Sequence, residues 1–467
     1  MRLALPANGG DIAARALRLR LAALGVASAL GYVLAESRIM GRPVFLRWGY
    51  PQHDFLIFFL CLFVPLFLLT LIGAWWTFRA ADDSMPTLWI ILGFGLLFRL
   101  VLLPTAPALS SDIYRYIWDA RIQASGINPY LSRPADFDTE ANRKDPLFQQ
   151  QNRPFARTIY PPMAQWAFRL ARALGGERMI AMKGVMLLGD LLTLAVLLRL
   201  LSVAGLPRSR IVLYAWHPLV VFEIAGSGHV DALAIPFILL AVFAWQRHRD
   251  LLAGASLGAA TLVKLYPILL LPILFARRRY RIPVGCGVVI LLGYLPFLPS
   301  AGSQVLGHLP RFLSDPGETF NPSAMGLVAG LASLVSAQPV YWASWIGRLG
   351  LLSVLAYVAW QETQTPDELL DRLWLLALAL VLCTLTLHPW YLLWLVPFLA
   401  IQPRLPWIYL SGAVAVSYLS YLKTPIPHGA VSAVEYLPLF WPLVFEWRRR
   451  KSEARLLVRS QWSGEIR

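Results

Sequence analysis

The chain has 467 residues, 57% of them hydrophobic and 15% charged, and a formal net charge of +16 at pH 7. Because a typical soluble domain carries roughly 25% charged residues, this composition excludes an ordinary water-exposed surface and indicates a surface that faces lipid. The cysteines Cys61, Cys286 and Cys383 all lie inside apolar runs, so they predict neither a disulfide framework nor a metal site.

The positive charge is distributed in short clusters between apolar runs: Arg15–Arg20, Arg208–Arg210, Arg247–Arg249, Arg277–Arg281 and Arg448–Lys451. This distribution is typical of a protein whose Lys and Arg residues stay on the cytoplasmic side of a membrane, and it argues against nucleic-acid binding. The apolar runs do not alternate with polar residues as barrel strands do, so helices are expected to cross the membrane. We therefore expect a multi-pass helical membrane protein with its basic clusters on the cytoplasmic side.

The first three crossings follow from placing Arg15–Arg20 on the cytoplasmic side. Helices are predicted near 17–35, 55–77 and 87–105. Pro104 and Pro107 end the third helix. The stretch 108–178 then forms a large extracytoplasmic loop with interfacial helices, which we expect to be catalytic.

The later apolar runs keep every basic cluster on the cytoplasmic side only if the segment 251–276 is a re-entrant hairpin. Lys264-Leu265-Tyr266-Pro267 lies near its middle, where the proline bends the helix. The prediction is an all-α integral membrane protein, a polytopic bundle of about 12–13 transmembrane helices. It forms a single domain over 1–447, followed by a cytoplasmic basic tail over 448–467.

An amphipathic helix is predicted near the start of the external loop, over Ser111–Gln123. The side chains of Asp112, Arg115 and Asp119 share one face of it because they are spaced by three and four residues. We expect the helix to lie along the membrane surface, where Arg115 and Arg121 hold a bound phosphate. The alternative is that Asp112 caps the helix and Asp119 pairs with Arg115.

The external loop ends at Tyr160-Pro161-Pro162, where the double proline fixes an extended entry into the next helix. Tyr160 and Gln165 are candidates for lining a substrate site. A plain helix start is the alternative for this segment.

A further motif contains Glu223, His229 and Asp231. Glu223 lies in an apolar helix, where an ionisable side chain is costly and indicates a functional role. His229 and Asp231 follow at the outer turn, where the alternative is an exposed histidine and a capping aspartate.

Two more candidate segments are predicted to reach the external face. Lys264 lies at the break of the hairpin, where broken helices usually line a site, and we expect it to hold an anion. His388, Trp390 and Tyr391 stand at the outer end of another helix, with an interfacial aromatic anchor as the alternative. The remaining intramembrane charges are expected to neutralise one another: Arg99, Asp190 and Arg348.

These residues indicate general acid–base catalysis on a lipid-linked substrate. The sequence contains no Walker loop, dinucleotide fingerprint, nucleophile elbow or zinc-binding motif. A carboxylate can serve as general base for a hydroxyl nucleophile while cations hold a phosphate leaving group.

The motifs Asp112–Tyr130, Tyr160-Pro161-Pro162 and Gly226–Asp231 resemble those of bacterial GT-C glycosyltransferases. The similarity is to the polyprenyl-phosphate-mannose-dependent mannosyltransferases of glycosyltransferase family 87. A hairpin with Lys-x-Tyr-Pro and a late His-Pro-Trp-Tyr fit the same layout.

The resemblance implies inverting transfer of a hexose, mannose above all, from a polyprenyl-phosphate donor to a lipid or glycan acceptor outside the cytoplasmic membrane. It implies that Asp112 is the catalytic base. Many GT-C members carry an acidic pair at this point, whereas Ser111 precedes Asp112 here, so we expect no cofactor and leave a divalent metal open. The expected partners are the donor, the acceptor and membrane lipids.

Two other functional classes compete with this interpretation. In a lipid or solute transporter or flippase the intramembrane charges would line a path, usually near the membrane midplane and between internal repeats. The sequence shows no clear repeat, and its unusual residues gather on one face. A structural assembly factor would leave the buried charges unexplained.

Overall fold

The computed structural model describes residues 8–40, 45–46, 50–51, 53–275, 279–314, 319–422, 429–439, 441 and 444. The predicted basic tail over 448–467 lies outside the described residues, as do Arg277 and Arg278 of one basic cluster.

The N-terminal part contains three long helices and a two-residue antiparallel strand pair. In chain order these elements are α1 (Asn8–Ile39), β1 (Phe45–Leu46), β2 (Tyr50–Pro51), α2 (His53–Ala80) and α3 (Met85–Leu102). The predicted external loop follows and is built from short helices. They are α4 (Asp112–Ala124), a 3-10 turn (Pro134–Phe137), α5 (Glu140–Lys144), α6 (Pro146–Gln149) and α7 (Pro162–Gly175).

The middle of the chain returns through the bundle in long and broken helices. They are α8 (Met179–Val203), a 3-10 turn (Arg208–Ile211), α9 (Val212–Ala215), α10 (Pro218–Val220), a π-helix (Val221–Gly226), α11 (Asp231–Gln246), α12 (Asp250–Val263), a 3-10 turn (Tyr266–Leu270) and α13 (Leu271–Leu274).

The last part is also helical. It comprises α14 (Arg281–Tyr294), α15 (Leu298–Ala301), a 3-10 turn (Gly302–Leu306), α16 (Leu309–Ser314), α17 (Ala324–Ala332), α18 (Pro339–Trp360), α19 (Pro366–Leu382), a 3-10 helix (Pro389–Leu395), α20 (Val396–Ile401), α21 (Leu405–Ala413), a 3-10 helix (Val414–Tyr421) and a helix over 429–439.

Five helices in the described part of the chain are long and apolar enough to cross a membrane: α1, α2, α3, α8 and α18. A helix pair bent by 66° between Tyr294 and Leu298 gives a sixth span if it is counted as one. These helices confirm the predicted all-α polytopic membrane protein. Shorter apolar helices include α11 and α12, and the larger number of crossings stays a prediction.

The chain breaks at the predicted Lys264-Leu265-Tyr266-Pro267. α12 ends at Val263, and Lys264 is extended, with φ −151° and ψ 144°. The 3-10 turn Tyr266–Leu270 and α13 follow. α12 itself packs between α11 and α14. The break presents Lys264 at the end of a buried helix, and its re-entrant course in a membrane stays a prediction.

The bundle centre is fixed by a corner at Trp216-His217-Pro218. The Trp216 indole donates to the carbonyl of Ile91 over 2.8 Å, and its own carbonyl accepts from Thr70 over 2.8 Å. His217 contacts the Ser411 hydroxyl at 3.0 Å. These contacts therefore tie α2, α3 and α21 together.

A buried ion pair joins α3 to α8. Arg99 Nε lies 2.5 Å from Asp190 Oδ2, and neither side chain is exposed. The Tyr214 hydroxyl donates to the other Asp190 oxygen over 2.6 Å. The predicted neutralisation is confirmed for these two charges, while the Arg348 guanidinium lies over the Trp345 ring at 5.0 Å.

The helix predicted to lie along the membrane surface is instead buried on both faces. Ile113 and Ile117 are buried on the apolar side, and Arg115 and Asp119 are buried on the polar side. α7 and α8 pack against α4. Trp118 is covered by Phe137 of the 3-10 turn Pro134–Phe137 and by Phe148 of α6. The loop folds back over its own first helix, which removes Arg115 and Asp119 from water.

We predict that Asp190→Asn lowers the stability of the detergent-solubilised protein by about 3–5 kcal/mol, because Arg99 is left buried without its counter-ion. The apparent melting temperature measures the loss. The matched control is Asp138→Asn, which removes an exposed pair with Arg143 and should leave the melting temperature unchanged. An unchanged melting temperature for Asp190→Asn would show that the pair does not hold α3 to α8.

Candidate active site

A cavity of about 360 Å³ lies where α4, the break after α12 and the 3-10 helix Pro389–Leu395 meet. Of the thirteen predicted site residues, seven line it: Asp112, Arg115, Tyr160, Lys264, His388, Trp390 and Tyr391. Polar residues that sequence reasoning missed also line it, among them Asn152, Arg153, Arg157 and His308. Segments far apart in the chain therefore converge on one site.

Asp112 enters the cavity from the first turn of α4, and its side chain is 22% exposed. Its Oδ1 accepts a hydrogen bond from Asn152 over 2.6 Å, and its backbone N–H donates to Ser110 over 3.3 Å. The helix N-terminus favours a negative charge at this position. A fixed carboxylate thus faces an open space, as a proton acceptor requires.

Arg115 is held in the cavity wall by buried partners. Its Nε donates to Asp119 over 2.8 Å, and its Nη1 donates to the carbonyl of Ala156 over 2.9 Å. Asp119 also accepts from Gln165, which contacts Thr158 at 3.0 Å. The predicted alternative, an Arg115–Asp119 pair, is therefore present, and Asp119 and Gln165 lie behind the wall.

Burial also affects the ionisation of the wall. Tyr116 is buried on α4 against the ring of Phe168, with the ring centroids 4.6 Å apart. Desolvation raises the pKa of Tyr116 well above its ordinary value. The phenol therefore stays protonated and neutral where it meets the cavity.

The Tyr160-Pro161-Pro162 entry is packed closely against the segment that follows α15. Gly307 has φ +54°, and a Cβ there would lie 2.0 Å from the carbonyl oxygen of Thr158. The next residue, His308, donates its backbone N–H to the same carbonyl over 3.1 Å. Only glycine permits this approach, which brings His308 to the cavity.

His229 is buried, so the alternative of an exposed histidine is wrong. Gly228 has φ +78°, and a Cβ there would lie 2.8 Å from Ile113, so the turn packs directly against α4. The Nδ1 of His229 lies 4.0 Å from Asp112 Oδ2, and its Nε2 lies 3.2 Å from Glu223 Oε2. His229 and Glu223 therefore stand behind the carboxylate, outside the cavity lining.

Lys264 has a partner within the protein. Its Nζ lies 2.8 and 2.7 Å from the two oxygens of Asp231, which is buried, and 4.8 Å from the centroid of Tyr391. The anion expected to bind Lys264 is therefore, within the protein itself, the Asp231 carboxylate. The Lys264 side chain is still 22% exposed and lines the cavity.

A stack of rings lies beside the cavity, and two of its members, His388 and Trp390, line it. The centroids of His229 and Trp390 are 4.2 Å apart, and those of Trp390 and His388 are 4.3 Å apart. Phe320 continues the stack at 4.4 Å from His388. His388 and Trp390 are therefore packed residues of the site, whereas an interfacial anchor would have exposed rings.

Arg121 is the predicted site residue that lies elsewhere. It pairs with Asp145 and Glu177, each over 2.5 Å, and does not line the cavity. The guanidinium holds the pKa of Glu177 below its ordinary value. Arg121 therefore links α4 to Asp145 in the external loop and to Glu177, just before α8.

The residues that line the cavity carry more positive than negative charge. Among the described lining residues the carboxylate is Asp112, whereas the cationic side chains are Arg115, Arg153, Arg157 and Lys264. Within the described residues, no group of three or more His, Cys, Asp or Glu side chains could hold a metal ion. The arrangement can take up a proton at one point and stabilise an anionic group beside it.

Residues 16–277, more than half of the chain, match a protein-family model. Its description is "MptA_B family: Alpha-(1->6)-mannopyranosyltransferase, N-terminal domain". The matched region contains Asp112, His229 and Lys264. No curated protein and no solved structure matches the chain.

Proposed function

The chain belongs to the MptA_B family of alpha-(1->6)-mannopyranosyltransferases, and on that premise we propose that it transfers mannose from a polyprenyl-phosphate donor to a lipid or glycan acceptor. Membership makes it an α-mannosyltransferase and favours an enzyme over the transporter alternative. The donor, the acceptor and inversion at the anomeric carbon are our proposal. Since the family is described by α-(1→6) linkages, inversion requires a donor in which mannose is β-linked to phosphate.

The excess of cations around one carboxylate is the observation that carries the donor proposal. A sugar–phosphate bond breaks with its electron pair going to the phosphate, so positive charge must stand beside the leaving oxygen. Arg157 lines the cavity and donates to the neutral amide of Gln304 over 2.6 Å. Arg115 and Lys264 also line it, although each shares its charge with a buried aspartate.

Asp112 is the proposed catalytic residue. The acceptor hydroxyl attacks the anomeric carbon from the side opposite the phosphate, the new C–O bond forms, and the bond to phosphate breaks. The hydroxyl proton passes to the Asp112 carboxylate, and the polyprenyl phosphate leaves with the electron pair. One direct displacement inverts the anomeric carbon, which agrees with a site built around one carboxylate in the described lining.

The cavity is proposed to open on the extracytoplasmic face. α3 begins beside Arg208, whose Nε lies 3.1 Å from Asp83, and ends near the link to Asp112. Its 18 residues span about 27 Å, close to the hydrocarbon thickness of a bilayer. The Arg208–Arg210 cluster and the cavity thus lie at opposite ends of α3, as the positive-inside distribution requires.

We predict that the purified protein moves radiolabelled mannose from polyprenyl-phosphate mannose into membrane lipid or glycan. Asp112→Asn should lower kcat by roughly 10²–10⁴-fold, because the general base is lost while the shape of the site is kept. Donor binding should persist.

Asp145→Asn is the matched control, since it removes a loop carboxylate paired with Arg121 away from the cavity. Asp119→Asn should cost less activity than Asp112→Asn and more stability. No mannose transfer by the wild-type protein would overturn the proposed donor, and near-normal turnover by Asp112→Asn would overturn the proposed base.

A second prediction concerns the phosphate contact of Lys264. Lys264→Met alone leaves Asp231 buried and unpaired, so it should lower stability as well as donor affinity. The double variant Lys264→Met/Asp231→Asn removes both charges and should fold normally. Its KM for the donor should rise about tenfold or more, as expected for losing a charge-assisted hydrogen bond.

Lys144→Met is the control for loss of one positive charge, because Lys144 is 75% exposed on the external loop. It should leave the donor KM unchanged. A double variant with wild-type KM would make Lys264 a structural residue.

The proposed orientation predicts which engineered cysteines react in intact cells. With Cys61, Cys286 and Cys383 replaced by serine, an impermeant maleimide should label Arg143→Cys on the external loop without permeabilisation. Arg247→Cys, at the end of α11, should react only after the membrane is opened. The reverse pattern would put the cavity on the cytoplasmic face.

A further inference from the structure

A chain of buried polar groups leads from the cavity into the bundle behind Asp112. The Tyr418 hydroxyl donates to Glu223 Oε1 over 2.5 Å, and Glu223 Oε2 lies 3.2 Å from His229 Nε2. The other ring nitrogen of His229 lies 4.0 Å from Asp112 Oδ2. Glu223 and His229 are each 1% exposed, so water does not screen their interaction.

The partner of Glu223 determines the state of the histidine. A carboxylate buried this deeply needs hydrogen-bond donors for both of its oxygens, and Tyr418 supplies one of them. His229 Nε2 lies 3.2 Å from the other oxygen, so we assign a hydrogen to Nε2. The contact is not aligned as a hydrogen bond, as is common in sites without substrate.

The orientation of the imidazole is fixed from two further sides. Trp390 stacks on it with the ring planes 19° apart. The π-helix Val221–Gly226 presents Glu223, and the turn at Gly228 presses His229 against α4. With Nε2 directed at Glu223, Nδ1 is left facing Asp112.

We propose that His229, held by Glu223, is a positioning residue for Asp112 and takes over the proton that Asp112 removes from the acceptor. This inference rests on the proposed function. The proton passes from the acceptor hydroxyl to Asp112 Oδ2 and then to His229 Nδ1, while Nε2–H stays with Glu223. The reverse transfer to Asp112 and then to cavity water restores the site after the products leave.

The geometry assigns different tasks to the two Asp112 oxygens. Asn152 holds Oδ1 at 2.6 Å, whereas Oδ2 is the oxygen nearest His229. The 4.0 Å separation exceeds a hydrogen bond, so Asp112 Oδ2 must approach Nδ1 when the acceptor is bound. A buried carboxylate that orients a histidine and stabilises its charged form does the same in hydrolase triads.

His229→Gln tests this role because a glutamine amide reaches the position of Nε2 and leaves nothing in place of Nδ1. If His229 only satisfies Glu223, glutamine should replace it with wild-type activity. The proposed role predicts that kcat falls about 100-fold while KM for the donor and the melting temperature stay unchanged. His217→Gln is the matched control, since His217 is also buried but belongs to the corner at Trp216, and it should keep wild-type kcat.

The double variant Asp112→Asn/His229→Gln separates a role through Asp112 from an independent one. If His229 acts through Asp112, the second substitution should lower kcat no further, whereas independent roles would multiply. Multiplied losses, or wild-type kcat for His229→Gln, would overturn the inference. If His229→Gln folds poorly, Glu223→Gln takes its place and should lower kcat at unchanged KM, because the imidazole loses the carboxylate that orients it.

These results are distinguishable from failure of the proposed function. An inactive wild-type protein overturns the proposed donor. The kcat of each His229 variant is compared with that of an active wild-type protein. Wild-type turnover in His229→Gln therefore overturns the proposed role of His229 and leaves the proposed donor standing.

Discussion

Burial of charge is the constraint on which the bundle and its cavity depend, because an ion in a low-dielectric interior must have a counter-ion close to it. Arg99 of α3 meets Asp190 of α8, and Lys264 after α12 meets Asp231 of α11. The first pair joins residues 91 positions apart, and the second joins the start of α11 to the break that follows α12. Apolar helix faces alone would permit many packings. The ion pairs favour the one arrangement in which each charge meets its partner.

The cavity wall follows the same rule on a smaller scale. Asp119 accepts hydrogen bonds from Arg115 and Gln165, and Arg115 in turn binds the carbonyl of Ala156. These contacts hold the irregular segment before Tyr160 against α4. A helix lying in the membrane interface would have kept Asp119 in water, and the segment would have had no fixed place. Burial of α4 thus leaves Asp119 behind the wall, while Asp112 and Arg115 of the same polar face reach the cavity.

The sequence predicts those features that depend on local composition. Apolar length identifies the spans, and the proline of Lys264-Leu265-Tyr266-Pro267 predicts the break after α12. The pairing of Lys264 with Asp231 could not be predicted, because 33 residues separate them and no local pattern relates the two positions. Asn152 and His308 carry no local signal either, since each reaches the cavity from irregular chain placed by contacts with other segments.

The internal pairing of Lys264 has a consequence for the proposed reaction. A cation shared with Asp231 binds the phosphodiester of the donor, and its attraction grows as charge accumulates on the leaving phosphate. An interaction that strengthens between ground state and transition state raises kcat, whereas uniformly tight binding would only lower KM. The pair also keeps Lys264 in place before the donor arrives, so little reorganisation accompanies bond cleavage. The buried aspartates that stabilise the fold therefore also favour the charge distribution of the transition state over that of the bound donor.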